Sequence, residues 1–257
     1  MRIVVCIKPV RTEMVYKTED RNEKYTFNPY DLYALEQSLS LKKLDDSIEI
    51  IALSMGPMDA QHLLVKSLAM GCDDGIILND SAFIGSDTLA TSYVLATAIK
   101  KLNKVDLIVC GAKSIDGETG QVVFGIAERL KLNCIQHLKK VIGFEDDKLI
   151  LEQENGDRRL DLSLNLPAVI AFKDFTLKQP DISLLLHKRA KQKGIKIWNA
   201  DDIEADGNKI GNKGSKTKVI GVQNIVTKRE RTIVNGSIAD KAKYLTELLS
   251  LGSNIKN

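Results

Sequence analysis

Residues 104–130 read KVDLIVCGAKSIDGETGQVVFGIAERL, and the architecture is most directly legible in them. Lys104–Cys110 is a short apolar run rich in β-branched residues, the pattern of a strand covered on both faces. Gly111–Gln121 is polar and carries glycines at 111, 117 and 120. Gly120–Leu130 then places Val123, Ile126, Ala127 and Leu130 on one helical face. Strand, loop and helix in this order form part of a βαβ unit. The same alternation extends toward the N-terminus. Strands are expected at Arg2–Ile7, Ser47–Leu53 and Gly75–Leu78, and helices at Pro29–Lys43, Met58–Met70 and Asp87–Leu102. Pro29 suits the first turn of its helix and Asn28 its N-cap. Such repetition implies parallel strands joined by right-handed crossovers, hence a doubly wound, three-layer α/β domain.

Past residue 133 the rhythm changes. Val141–Glu145, Lys148–Glu154, Arg159–Ser163 and Ala168–Phe172 are short strands in close succession, with turns at Glu145–Lys148 and Asn155–Arg158. An antiparallel section is expected at about 140–173. Asp181–Lys193 reads as a helix, Ala200–Thr217 as a polar loop or linker, and Ile238–Leu251 as a terminal helix. The domain reading is an α/β body over 1–190 and a C-terminal arm over 191–257 that packs on something else.

Composition narrows the function. A net charge of +3 is too small to point to nucleic acid. No apolar run approaches the roughly 20 residues needed to cross a bilayer, so membrane insertion is not expected. Met1–Val10 reads as a strand rather than a signal peptide, which places the expected location in the cytoplasm, or in the matrix after processing if the source is eukaryotic. Cys6, Cys72, Cys110 and Cys134 form no CxxC pair and read as free thiols, mostly buried. His62, His137 and His187 lack metal-ligand spacing. No side-chain catalytic constellation stands out, which suits a carrier whose cofactor supplies the reactivity.

Ligands of open parallel sheets bind at the carboxyl ends of the strands. Four segments fall there: Cys6-Ile7-Lys8; Ser54-Met55-Gly56-Pro57; Gly85–Ser92, with Asp87, Thr88 and Thr91; and Gly111–Gln121, with Asp116, Gly117, Glu118, Thr119, Gly120 and Gln121. In the last, glycines let the backbone approach a ligand, Thr119 can cap the helix or meet a phosphate, and the free N–H groups near Gly120–Val122 form an anion site. The segment is neither GxGxxG nor a Walker loop. Taken alone it reads as a polar βα connection with an ordinary cap. Asn28 and Asp31 read most simply as an N-cap and a first-turn acid, and Lys8 as a surface lysine.

Taken together, these segments resemble the β subunit of electron transfer flavoproteins, a family that includes the FixA-type proteins. Ile3-Val4-Val5-Cys6-Ile7-Lys8 resembles the family's first strand, and Asn28-Pro29-Tyr30-Asp31 its Asn-Pro helix start. Met55-Gly56-Pro57 and Ala69-Met70-Gly71-Cys72-Asp73 resemble two further segments. Ile115–Gln121 resembles its nucleotide loop, and Leu151–Ala171, ending Leu166-Pro167-Ala168-Val169-Ile170-Ala171, its signature region. The likeness covers nearly the whole chain and rests on order and spacing. It departs at residues 11–27, shorter than the family's hairpin; at Gln153, where a basic residue is common; and at Asp181, where Arg is frequent.

The resemblance implies an adenine nucleotide α-hydrolase-like, Rossmann-like fold and a heterodimer with an α subunit, on which the C-terminal arm packs. It implies a β-bound nucleotide: FAD in electron-bifurcating members, structural AMP in others. The short Asp116–Gln121 loop, and Gly85-Ser86-Asp87-Thr88-Leu89-Ala90-Thr91-Ser92, resemble the bifurcating and FixA-type pattern and favour FAD, with NADH as transient donor. Thr88, Thr91 and the loop from Asp116 to Val122 would hold the diphosphate and ribityl region. Cys6, Ile7, Lys8, Asn28, Asp31, Met55, Gly56, Asp87 and Gly111 would complete the pocket. Leu184 or Leu185 would anchor a dehydrogenase, such as one for acyl-CoA or lactate, although Leu184-Leu185-Leu186 equally fits a buried face. A ferredoxin or flavodoxin would take low-potential electrons. The alternatives are an AMP-binding structural subunit and a regulatory adenine-nucleotide-binding module, the latter expected to end near residue 150.

Overall fold

The first strand, β1 (Arg2–Cys6), is buried on both faces from Ile3 onward, and this sets the layers. Ile3 and Val5 join one apolar cluster; Val4 and Cys6 join another on the opposite face. A strand buried on both sides needs no polar positions, which is why the strands appear in the sequence as unbroken apolar runs. Each fully buried Ile, Leu or Val contributes about 1.5–3 kcal/mol relative to exposure.

The computed structural model describes residues 1–16, 23–145, 148–156, 158–221 and 232–252. In chain order its elements begin with β1, β2 (Pro9–Arg11), α1 (Thr12–Val15), β3 (Tyr25–Phe27), α2 (Pro29–Leu44), β4 (Glu49–Met55), α3 (Gln61–Met70) and β5 (Asp74–Leu78). They continue with α4 (Thr88–Leu102), β6 (Leu107–Gly111), α5 (Val122–Leu130), β7 (Asn133–Glu145), β8 (Lys148–Asn155), β9 (Arg158–Leu164) and β10 (Ala168–Phe172). The last are α6 (Leu184–Lys193), β11 (Lys196–Trp198), α7 (Gly211–Gly214) and α8 (Ile238–Gly252).

A nine-stranded sheet runs β11-β5-β4-β1-β6-β10-β7-β8-β9, and β2 and β3 form a separate antiparallel pair. The chain steps from β1 to β4 and β5 in one direction and then to β6 on the other side, so strand order reverses between β1 and β6. Helices α2, α3 and α6 cover one face through Leu32, Leu35, Leu63, Leu64 and Ala190. Helices α4 and α5 cover the other through Val94, Leu95, Val123 and Ile126. The doubly wound α/β reading holds.

Several details differ from expectation. β10 is parallel to both β6 and β7 rather than part of an antiparallel section, because the chain returns from the β8–β9 excursion and inserts between them. β7 begins at Asn133 and is long enough to pair with β10 at one end and antiparallel with β8 at the other. The two turns expected within 145–158 include residues 146, 147 and 157, which lie outside the described residues. Helix α6 starts at Leu184 because the Ser183 side chain accepts from Leu186 N–H. Ala200–Thr217 is no free loop: Ile203, Ile210 and Ser215 are buried, and α7 lies within it.

Contacts divide the chain into Met1–Lys218 and Val219–Asn257, a boundary later than the 190/191 division read from the sequence. β11, paired with β5, keeps residues past 191 in the body. The second unit contains α8; the basic run Lys228–Arg231 lies outside the described residues. No helix among the described residues is long and apolar enough to cross a membrane.

Close packing of α4 on α5 brings both helix starts to one side of the sheet. A Cβ on Gly125 would lie 2.4 Å from Ser92 Oγ and 2.6 Å from Ser92 Cβ. Ala at this position gains about 1 kcal/mol of helix propensity over Gly. Overpacking typically costs about 1–3 kcal/mol, and with contacts this short the overlap dominates. Gly125→Ala is therefore expected to lower the urea midpoint; an unchanged or raised midpoint would refute the close approach.

Candidate functional site

The strand-order reversal opens a cleft of about 350 Å³ at the carboxyl ends of β1 and β6. Its wall includes Cys6, Ile7 and Lys8 after β1, Asn28 and Asp31 at the start of α2, and Met55 at the end of β4. Asp87, Thr88 and Thr91 come from the start of α4, and Gly111, Gly117, Thr119, Gly120, Gln121 and Val122 from the β6–α5 connection. These expected residues, distant in sequence, surround one space. Gly56, Asp116 and Glu118 do not line it. Gly56 packs on Pro9 at the turn closing β4, where a Cβ would come within 2.7 Å of Pro9 Cγ. Glu118 lines a second depression of about 320 Å³ with Phe124, His137 and Lys173.

Asn28 and Asp31 do more than start a helix. Asn28 occupies the N-cap position without capping. Its side chain instead donates to Lys113 O at 2.9 Å and accepts from Ile115 N–H at 3.3 Å, which pins the 113–115 backbone. The Asp31 carboxylate accepts from Lys8 N–H at 2.8 Å and Gly111 N–H at 3.0 Å, bridging the ends of β1 and β6. A side chain at 111 would overlap Asp31 and Tyr30, so glycine is required for this approach. Burial pushes the Asp31 carboxyl up to about 7, against hydrogen bonds from Lys8 N–H, the Asn28 side chain and Gly111 N–H, and against the Lys8 charge.

The 111–121 connection is tied down from within and from outside. Lys8 Nζ donates to Asp116 Oδ1 at 2.6 Å and to Ser114 Oγ at 3.2 Å. Burial raises the Asp116 carboxyl, but hydrogen bonds from Lys8 and Ser114 outweigh it and leave the group below its ordinary range. Gln136 Nε2 donates to Ala112 O at 2.8 Å. Thr119 does not cap α5; Gln121 is the N-cap residue and makes no side-chain cap bond. The first N–H groups of α5 thus lack a side-chain acceptor at the cleft, the arrangement that accepts an anion. At the start of α4 the chain supplies its own anion: Asp87 accepts from Leu89 N–H and Ala90 N–H.

The sequence reading did not assign Ser86, Leu95, Cys110, Ala112, Lys113, Ser114 and Val123 to the cleft. Helical spacing could have found Leu95, which shares a face with Thr88 and Thr91. Strand alternation could have found Cys110, the counterpart of Cys6 on the same face. A hydrogen bond with Cys6 and burial hold the Cys110 thiol well above its ordinary range, so it is a protonated floor group. Leu184 and Leu185, away from the cleft on α6, are 90% and 58% exposed, which removes the buried-face reading. No cluster among the described residues could hold a metal ion.

Comparison with known proteins gives the family. A family model described as "Electron transfer flavoprotein domain" matches residues 15–203. The electron transfer flavoprotein subunit beta of Thermoanaerobacterium thermosaccharolyticum is 36% identical, covering 97% of this chain and 98% of the relative. Subunit CarD of the caffeyl-CoA reductase-Etf complex of Acetobacterium woodii is 33% identical, covering 95% and 98%. Protein FixA of Bradyrhizobium diazoefficiens is 36% identical, covering 98% and 92%.

The buried Asp31 gives a pH signature. The folded carboxyl keeps its proton up to about pH 7, whereas the unfolded group releases it near 3.8. Between these values the folded state binds more protons, so this contribution to stability falls as pH rises and levels off above about 7. The slope is at most about 1.4 kcal/mol per pH unit. Asp31→Asn is expected to remove this component from urea unfolding measured from pH 5 to 8. Identical slopes in the two proteins would show that Asp31 ionises normally.

Proposed function

Because the chain belongs to the electron transfer flavoprotein β-subunit family, we propose that its cleft holds FAD and that it passes electrons from NADH or a dehydrogenase to partner flavins by electron bifurcation. The observation that carries this reading is the joint placement of an uncapped α5 start and an apolar floor at the strand-order reversal. A cleft of about 350 Å³ falls in the ordinary size range of small-molecule sites. Cys6, Leu95, Cys110 and Val123 suit a ring, and the free N–H groups of α5 suit a phosphate. When bound, FAD would supply two-electron acceptance from hydride and one-electron delivery to a high-potential and a low-potential acceptor.

The chain's own part is binding and orientation. The α5 start and the 117–121 backbone would hold the diphosphate, and the Thr88 and Thr91 hydroxyls would meet the ribityl region. Asn28, Lys8 and Asp31 hold the wall rigid through the bonds described above. FAD is preferred to AMP because of the short Asp116–Gln121 connection and the Gly85–Ser92 segment. The likeness to CarD, whose name places it in a reductase-Etf complex, supports work alongside a redox enzyme.

The partners in this reading are an α subunit, a dehydrogenase such as one for acyl-CoA or lactate, and a ferredoxin or flavodoxin, all in the cytoplasm. The C-terminal segment would pack on the α subunit: within its own unit, α8 exposes Leu245, Leu248 and Leu249. Leu184 and Leu185 would dock the dehydrogenase.

Cofactor content decides the central point. The chain co-expressed with its α subunit and denatured is expected to release two FAD and no AMP per heterodimer. One FAD with one AMP would reduce this subunit to a structural nucleotide binder. Leu184→Glu is expected to weaken dehydrogenase coupling about tenfold or more with cofactor content unchanged. Undiminished electron transfer from the dehydrogenase would move the docking site elsewhere.

A further inference from the structure

The segment before the C-terminal unit is fastened to the rim of the cleft by one carboxylate. Asp87 Oδ1 takes the α4 cap bonds, and Oδ2 accepts from Lys216 N–H at 2.7 Å, Thr217 N–H at 3.0 Å and Thr217 Oγ1 at 3.2 Å. In return, Asp87 N–H donates to Ser215 Oγ at 2.8 Å. The Ser215 hydroxyl lies 2.9 Å from Gly85 O and 2.7 Å from Gly211 O, and Gly211 N–H donates to Ser86 Oγ at 3.0 Å. Burial opposes ionisation of Asp87, yet the N–H bonds from Ala90, Thr217 and Lys216 outweigh it and keep the carboxyl below its ordinary range. Both carboxylate oxygens are thus engaged by the chain, and a negative group there would repel a diphosphate rather than bind it.

We infer that residues 211–217 form a latch coupling the C-terminal segment to nucleotide retention, with Asp87 as the positioning residue at the joint. Asp87 acts through Thr88 and Thr91: it fixes the first turn of α4, from which both residues line the cleft. The same carboxylate holds the backbone that leads, two residues later, into the unit beginning at Val219. A pull on that unit by whatever it packs against would reach α4 through Lys216 and Thr217. Linkage makes the effect reciprocal: closing the latch favours the nucleotide by the same factor as the nucleotide favours the closed latch.

This inference rests on the nucleotide reading of the cleft, and the test separates the two. In the heterodimer with its α subunit, hydrogen–deuterium exchange of the peptide covering 211–218 is measured with and without added FAD, alongside the FAD dissociation constant. Asp87→Asn retains a good N-cap residue but replaces the second acceptor oxygen by a donor group. It is expected to raise exchange at 216–217, to weaken FAD binding by about 5-fold or more, and to abolish the slowing of exchange that FAD causes in the wild type. Ser215→Ala, which breaks the latch from its other side, is expected to act in the same direction and serves if Asp87→Asn fails to fold. An opened latch with unchanged FAD affinity would overturn the coupling, and undiminished protection at 216–217 would overturn the role of Asp87. If the wild type binds AMP in place of FAD, the same shifts are expected with AMP as probe. Binding of neither would overturn the nucleotide reading and the coupling together, whereas the exchange data alone would still report whether Asp87 holds the strap.

Discussion

Two backbone N–H groups, of Lys8 and Gly111, leave the sheet where β1 and β6 part, and one buried carboxylate accepts both. Strands that diverge at a reversal of order lose their mutual hydrogen bonds at their carboxyl ends. Buried N–H groups left without acceptors would each cost about 1–3 kcal/mol. Asp31 meets this constraint, and its position on the first turn of α2 draws that helix over the gap. Asn28, three residues earlier, then reaches the 113–115 backbone. The cleft is therefore an outcome of how the strand ends are satisfied, and its wall is rigid because its polar groups are engaged in holding the sheet together. The about-7 carboxyl is the cost of placing that acceptor out of water.

What the sequence revealed and what it concealed follow the same physical division. Period-two and 3.6-residue patterns report burial against a neighbouring layer, and they located β1, β4, β5, β6 and the helices α2 to α5 within a few residues. Patterns of this kind say nothing about which strand lies beside which. The apolar run Ala168–Phe172 was visible as a strand, but its insertion between β6 and β7 depends on contacts more than twenty residues away in the chain. Asn28 and Asp31 carried the composition of a helix start, and only the fold shows their side chains turned to the neighbouring strand ends. The stretch 200–217 misled for a related reason. Its glycines and polar residues resemble a linker, yet they supply backbone donors and a hydroxyl that the α4 start uses. Polar residues satisfied at long range look like solvated ones until their partners are known.

The two helix starts facing the cleft illustrate how such partners assign roles. The starts of α4 and α5 both carry a positive dipole end, and the family resemblance gave either of them a claim on a phosphate. Asp87 neutralises the first from within the chain and recruits the 216–217 backbone with its remaining oxygen. Gln121 leaves the second without a side-chain acceptor. In the proposed reading, a negatively charged ligand entering the cleft would meet one occupied helix terminus and one vacant one, and its charge would favour α5 over the Asp87 end of the cleft. Gly125 sets how close these two termini lie, since α5 can approach α4 only where no side chain intervenes at Ser92. Position, polarity and spacing of the groups around the cleft thus each trace to a single residue: Asp31, Asp87 and Gly125.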